Sequence, residues 1–596
     1  MITAATDRLQ RTAFLCAALG AFAFVVLRAF LVPVTHDEAM TFFLFVETKD
    51  FLPFHGGWDA GNHVLCTGLG WLAWKLAGFQ LWALRLPSVL AFLLYAAYAW
   101  RWGLKLRTPL VRWCLWAALL GMPFLLDFFS LFRGYGLSMA FWSMALYELN
   151  AWLEKRGTRT LMRTLTASAC ATFSGFSLLT LWAAVLAVLF LSLWTRPATG
   201  KRRAMHTTLW LFLGLAPWAF AAAWLQELAA HGSLYYGLRT GVFGGTVPSL
   251  LKAMFGETSS WARWPVLLAL LAGTWAAGRA WRRKPLDLAA WALVLSAGLL
   301  WMDMLGREVL FAWKGTLFPE DRTALQWVLP FLLLAAFALD RWCARQANAK
   351  WLALLLLALP VRTLATANLS RTSYWPGEAV PGSIFRAAQA LQQHAPRLLT
   401  IGSYRMEQGV WAFGLRQYGL PLNTAGTTDH PNAGQELLLV EHARTPPPAG
   451  YQLVEEAPGG HVALYARVRP WAATLLLDTL VAREPSSDEF MELWHPPVAA
   501  LHGRRFLVQL DLVLPADQGI ATAALVVEMN ADTTARYYED VIVPFLRNPA
   551  LGDSIHTVRL TPAVPPDATR LVVYFWNAHR QQFGFSGRLR VFAVRQ

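Results

Sequence analysis

Apolar runs of 17 or more residues recur along the chain up to about residue 370, and short basic segments separate them. Roughly 20 apolar residues cover the hydrocarbon of a bilayer, so this alternation confines the chain to a polytopic α-helical membrane fold. Composition agrees: 56% hydrophobic, 13% aromatic, only 15% charged and 30 tryptophans, which is far from a soluble globular average. Disordered and collagen-like classes are excluded. The net charge of +15 raises the question of nucleic acid, but the cations lie between apolar runs and read as topology signals instead. No nucleic-acid partner is implied. Five cysteines (Cys16, Cys66, Cys114, Cys170, Cys343) lie in the apolar part without metal-ligand spacing, so no disulfide framework is expected.

The first run, Phe14 to Val34, follows a basic head with Arg8 and Arg11; it lacks a small-residue cleavage site and reads as a retained helix. Five basic loops follow: Arg101 to Arg112, Lys155 to Arg163, Arg196 to Arg203, Arg279 to Lys284, and Arg341 to Lys350. The positive-inside rule puts all five in the cytoplasm. Even numbers of crossings must then separate them, which gives spans near 14–34, 80–100, 113–126, 133–153, 165–178, 179–195, 206–226, 263–281, 286–305, 323–340 and 351–366, about eleven in total. Residues 35–79 become an external loop whose apolar helix at 63–78 lies along the membrane surface, although it could also span.

Everything after about residue 367 is then extracytoplasmic. Three parts are expected: 1–370, transmembrane; 371–470, a small α/β domain; and 471–596, an antiparallel β-sandwich. In the second, Ser383 to His394 reads as helix, and Arg397 to Ile401, Glu436 to Val440 and His461 to Val468 read as strands, while Thr445 to Pro448 reads as a loop. In the third, Phe506, Val508, Leu510, Leu512 and Leu514 alternate with outward residues.

An ionisable side chain costs roughly 2.5 to 3.5 kcal/mol at mid-bilayer, so those at the external helix ends are informative. Thr35-His36-Asp37-Glu38 fits the capping box S/T-x-x-E; it also offers Asp37 as a general base with its direction fixed by the capped helix. Asp127 sits at a helix C-terminal end, where the dipole disfavours an anion. Arg133, in Arg133-Gly134-Tyr135-Gly136, either neutralises Asp127 or binds an anion, for which its planar fork suits phosphate. Asn62 and His63 open the surface helix. Glu320-Asp321-Arg322 supplies another external cation, either an interfacial anchor or a ligand contact. His36 and His63 leave a divalent metal open without defining a site, and no cofactor follows from the sequence. The loop 227–262, with His231, Tyr235, Tyr236 and Arg239, is a candidate lid.

No Walker motif, dinucleotide fingerprint, H-E-x-x-H or G-x-S-x-G is present. Three classes stay open: an enzyme acting at the external face, a transporter or flippase of lipid-linked sugars, and a non-catalytic membrane anchor for the external domains. A transporter would be expected to carry ionisable residues near the midplane and internal repeats, and no repeat is visible.

In this order the residues resemble the membrane-embedded type-C (GT-C) glycosyltransferases, in the bacterial branch related to protein O-mannosyltransferases and the lipid A aminoarabinose transferase. The resemblance rests on Thr35 to Ala39, Gly61 to Leu65, Leu84-Arg85-Leu86-Pro87-Ser88 and Asp127 to Gly136, and covers roughly residues 10–370. The family's lysine or histidine followed by prolines stands here as Asn62-His63-Val64, a departure at the donor-phosphate contacts. The resemblance implies an inner-membrane enzyme of the bacterial cell envelope that moves a sugar from a polyprenyl-phosphate donor to a hydroxyl of a glycan, lipid or protein acceptor. Membrane lipids are its surroundings. Asp37, Glu38 and Asp127 would then be the catalytic group, and His36, Asn62, His63, Arg133, Tyr135 and Arg322 would contact substrate. The sandwich resembles carbohydrate-binding modules, with Leu571 to Asn577 and Arg588 to Val594 as terminal strands and Tyr574 and Trp576 as candidate sugar-stacking rings.

Overall fold

A computed structural model describes residues 2–55, 57–195, 199–256, 259–283, 286–404, 407–428, 434–441, 449–514, 523–552 and 554–595. Arg196, Lys284 and the loop Thr445 to Pro448 lie outside them. The chain divides into two compact units: residues 1–30, 51–78 and 82–369 form one, and residues 31–50, 79–81 and 370–596 form the other.

The first unit is helical. Among the described residues seven helices are long and apolar enough to cross a membrane: Arg8–Leu31, Leu81–Gly103, Phe176–Thr195, Gly200–Ala230, Leu288–Lys314, Asp321–Cys343 and Ala347–Thr366. A pair bent by 48°, Pro109–Leu120 and Pro123–Phe129, makes an eighth if it is one span. The protein is therefore an integral membrane protein with a polytopic helical region. Gly134–Lys155, Thr158–Ser174 and Arg263–Trp281 are also helices, but fall short in length or apolar content. The bend follows from Gly121 and Pro123. Proline lacks the donor that would continue the helix, and a Cβ on Gly121 would sit 2.6 Å from Pro360 Cβ. Val64–Ala77 has 14 residues. At about 1.5 Å per residue it is too short for the roughly 30 Å of hydrocarbon.

Basic segments gather at one end of this unit. Asp287 accepts from Arg107 at 3.0 Å and Arg341 at 3.3 Å, and Asp340 accepts the Arg107 and Thr108 amides at 3.1 and 2.7 Å. Glu148 lies between Arg101 (3.7 Å) and Arg163 (3.4 Å), Arg202 donates to the Arg156 carbonyl, and Arg112 reaches Gln10 of the head at 2.8 Å. Loops far apart in sequence thus share counter-ions at the same helix ends.

The second unit is rich in β-structure. One nine-stranded sheet is built on a parallel core, with Ile401–Tyr404 between Gly426–Thr428 and Leu437–Glu441. It continues antiparallel through Val462–Arg467 to Tyr451–Glu456 on one side, and through Thr534–Ile542, Ala524–Ala531 and Arg570–Trp576 to Phe490–Trp494 on the other. The sheet therefore takes strands from both sides of residue 470. A four-stranded sheet runs Ile555–Leu560, Arg505–Val513, Phe583–Arg595, Ala472–Ser486. Helix Gly382–Gln393 and the second and third expected strands of the middle segment fall within one or two residues of expectation. The first begins only at Ile401, because the Leu399 and Thr400 amides bond the Gln392 and Glu436 side chains rather than a neighbouring strand.

The two sheets share a buried ion pair. Arg559, on Ile555–Leu560, reaches Glu539, on Thr534–Ile542, at 3.2 Å; it also donates to the Thr424 carbonyl and Thr557 hydroxyl at 2.6 Å each. The Tyr537 hydroxyl donates to the other Glu539 oxygen. Gly426 leaves the room, since a Cβ there would overlap Glu539 Oε1. Burial lowers the Arg559 guanidinium from its ordinary value, and Glu539 opposes this. Arg559→Ala should strand Glu539 and destabilise this unit by about 3 to 5 kcal/mol. The measurement is amide exchange of Thr534–Ile542 in the intact protein under rising urea; exchange unchanged from wild type would show the pair to be dispensable.

Candidate functional site

In the second unit, the capping box forms as read. The Thr35 amide donates to Glu38 Oε2 at 3.0 Å, the Thr35 hydroxyl to the same oxygen at 3.2 Å, and the Glu38 amide to Thr35 Oγ1 at 3.4 Å. Glu38 is buried and its carboxylate is taken up by this cap. Asp37 and His36, beside it in the first turn of helix His36–Thr41, are half-buried. The two acids expected to share catalysis thus occupy different environments one residue apart. The turn is firmly mounted. It runs into a π-helical turn, Phe42–Val46, whose Phe42 and Phe43 pack on Phe413 and Phe545, with Phe43 to Phe545 centroids 4.8 Å apart. Arg416 lies 4.7 Å over Phe43, pairs with Glu47 and donates to the Pro544 carbonyl at 2.7 Å. From Pro376–Glu378, the Glu378 carboxylate accepts the His36 amide at 2.7 Å.

In the first unit, Asp127 lies on the short helix Pro123–Phe129, is buried, and forms an ion pair with Arg28 of the first helix. Arg28 also donates to the Asn368 carbonyl. Arg85 is fully buried and donates to the carbonyl of Ala29 at 3.1 Å, while Ser88 donates to the carbonyl of Arg133 at 3.1 Å. The Arg85-to-Ser88 motif therefore braces its helix against both the first helix and the Arg133 turn. That turn depends on its glycines. A Cβ on Gly134 would overlap the Ser174 carbonyl and sit 2.7 Å from His63 Cβ, and one on Gly136 would sit 2.8 Å from the Phe128 carbonyl. Close approach brings His63 against Tyr135 (4.7 Å between ring centroids), Tyr135 against Phe128 (4.6 Å), and Arg133 to 6.0 Å from the Tyr135 ring. His63, Arg133, Tyr135 and the helix of Asp127 are thus one cluster. Asn62 adjoins it, with its amide bonded to the Phe51 carbonyl and its oxygen to Thr67, both at 3.0 Å.

Arg322 belongs to a second cluster of the same unit. Its guanidinium lies 4.6 Å over Tyr236, whose hydroxyl donates to Asp321 at 2.7 Å. The Glu320 carboxyl is raised by burial and by Asp321, against the pull of Arg322. The candidate lid is fastened here: Leu238 bridges Phe318, and the Asp321 amide donates to Ser249. Near its start, His231 stacks flat on Trp58 at 4.0 Å.

Three contributors escaped the sequence reading: Arg28, Arg85 as a brace, and Glu378. An arginine within an apolar run was a usable signal, because it requires a partner. Nothing local pointed to Glu378. Among the described residues no three His, Cys, Asp or Glu side chains are grouped as metal ligands. In the β-rich unit Tyr574 is buried with its hydroxyl on Glu528 at 2.8 Å, whereas Trp576 and its cross-strand partner Phe490 are 37% and 54% exposed.

No family model matches the chain, and a search of curated proteins finds no significant match. Among solved structures the chain is similar to apo ArnT from Cupriavidus metallidurans at 15% identity and TM-score 0.42, over 78% of this chain and 98% of that one. ArnT bound to undecaprenyl phosphate gives 14% and 0.37, over 77% and 98%. The arabinosyltransferase EmbB from Mycobacterium smegmatis gives 10% and 0.38, over 96% of this chain and 64% of that one.

Proposed function

We propose that the chain is an integral-membrane glycosyltransferase that moves a sugar from a polyprenyl-phosphate donor to an acceptor hydroxyl on the extracytoplasmic side of a bacterial inner membrane. In this reading about eleven helices cross, the shared basic end faces the cytoplasm, and the β-rich region from 371 is external. The supporting observation is the turn Thr35–Glu38. Its capping box is formed, with Glu38 buried and Asp37 half-buried beside it, a position from which a general base can act.

Asp37 accepts the acceptor proton as the acceptor oxygen bonds to the anomeric carbon. The bond from that carbon to the donor phosphate oxygen breaks, its electron pair leaves with the polyprenyl phosphate, and the anomeric centre inverts. Arg133 and Arg322 stabilise the phosphate, with Tyr135, His63, Asn62 and His36 as substrate contacts. Glu38 acts by fixing the turn. Asp127 acts with Arg28, orienting the cluster that carries Arg133. Trp576 and Phe490 offer rings on which an acceptor glycan stacks.

Purified protein incubated with a panel of polyprenyl-phosphate sugars, undecaprenyl phosphate as the lipid, together with glycan acceptors, should consume one of the donors. Asp37→Asn should cut that turnover by about 10²- to 10⁴-fold with the protein still folded; near-normal transfer would remove Asp37 from the mechanism. Trp576→Ala should raise KM for a glycan acceptor by about tenfold, within the range of one lost stacking contact, and an unchanged KM would leave the β-rich unit without that role.

A further inference from the structure

Resting on the reading of Asp37 as general base, we infer that Glu378 is a positioning residue for that base, held on a strap that reaches the catalytic turn from the β-rich region. The first amides of a helix have no intrahelical acceptor and take side-chain partners where these are offered. In the Asp37 turn, Thr35 and Glu38 serve each other, while the His36 amide is served by Glu378, 342 residues away. A carboxylate accepting a backbone amide at 2.7 Å is a charge-assisted bond and fixes direction as well as distance. It holds the residue next to Asp37, so a shift of this amide moves the base.

Glu378 is itself buried, 9% exposed, and its segment is seated at several points. The Glu378 amide donates to the Trp375 carbonyl at 3.2 Å, and the Trp375 amide to the Thr372 hydroxyl at 2.9 Å. Gly377 lies so close to Glu441, on strand Leu437–Glu441, that a Cβ would overlap its carboxylate. Arg371 presses on the turn at Gly459, whose φ of 90° and lack of a Cβ admit it. The strap is therefore registered against the parallel core of the nine-stranded sheet at one end and against the Asp37 turn at the other. The remote β-rich region thereby sets the aim of a carboxylate that the sequence places immediately after the first membrane helix.

The test compares Glu378→Ala with Glu378→Gln in the full-length protein, Gln retaining an oxygen that accepts the His36 amide. Glu378→Ala should lower kcat by about 100-fold, the order expected for a misplaced catalytic group, with KM for the lipid donor unchanged; Glu378→Gln should restore most of it. Amide exchange at His36, which needs no substrate, should accelerate in the alanine variant and not in the glutamine variant. Wild-type kcat in Glu378→Ala, equal behaviour of the two variants, or unchanged exchange at His36 would each overturn the inference. Should wild-type protein consume no donor, the transferase reading fails separately, and the exchange comparison alone decides whether Glu378 holds the turn.

Discussion

A charge inside an apolar helical unit has to be neutralised where it stands, and the pair Arg28 and Asp127 is the clearest case. Desolvating either group alone carries a penalty of several kcal/mol, so each is tolerable only with the other in place. The pair ties the first helix to the short helix after the Gly121–Pro123 break, and Arg28 also holds the chain at Asn368. Asp303 and Arg307 repeat the solution one helical turn apart at 2.9 Å, with Thr180 and the Ser177 carbonyl as further acceptors for the guanidinium. The cations of the basic loops follow the same constraint differently. They leave the apolar region and collect around Asp287, Asp340 and Glu148 at one end.

This division explains what could be read in the sequence. Apolar length and loop charge are local properties, so the helical class and the basic end were visible, whereas the break at Pro123 was read as part of one continuous span, 113–126. Some strands of the second unit were visible too, Arg505–Val513 and Phe583–Arg595 among them through period-two alternation. Pairing across distance was not. Asp127 was weighed only against Arg133, six residues on, and its ion pair with Arg28, 99 residues back, was not foreseen. The number of spans is softer for a related reason. Helices such as Gly134–Lys155 are buried among other helices and tolerate polar groups, including Glu148, that a lipid-facing span would exclude.

The β-rich unit shows the same limit. Alternation along Arg505–Val513 is only partial, because Leu507 is as buried as Phe506 and Val508. A strand covered on both faces loses its period. Likewise the sheet's continuity across residue 470 depends on Thr427 and Thr428 pairing with Asp540 and Glu539, a long-range register that composition does not record.

The two candidate turns reach fixed geometry by opposite means. At Thr35–Glu38 side chains do the fixing, so the identity of Thr35 and Glu38 matters. At Arg133–Gly136 the absence of side chains does it: Gly134 and Gly136 let the backbone close on Ser174, His63 and Phe128, and the Arg133 carbonyl accepts from Ser88. A capped turn fails by losing a hydrogen bond, a graded loss of about 1 kcal/mol. A glycine-packed turn fails by overlap, which the surrounding helices cannot relax without moving. The backbone at Arg133 is thus set by close packing and the Asp37 turn by hydrogen bonds, one of them to Glu378, 342 residues on in sequence.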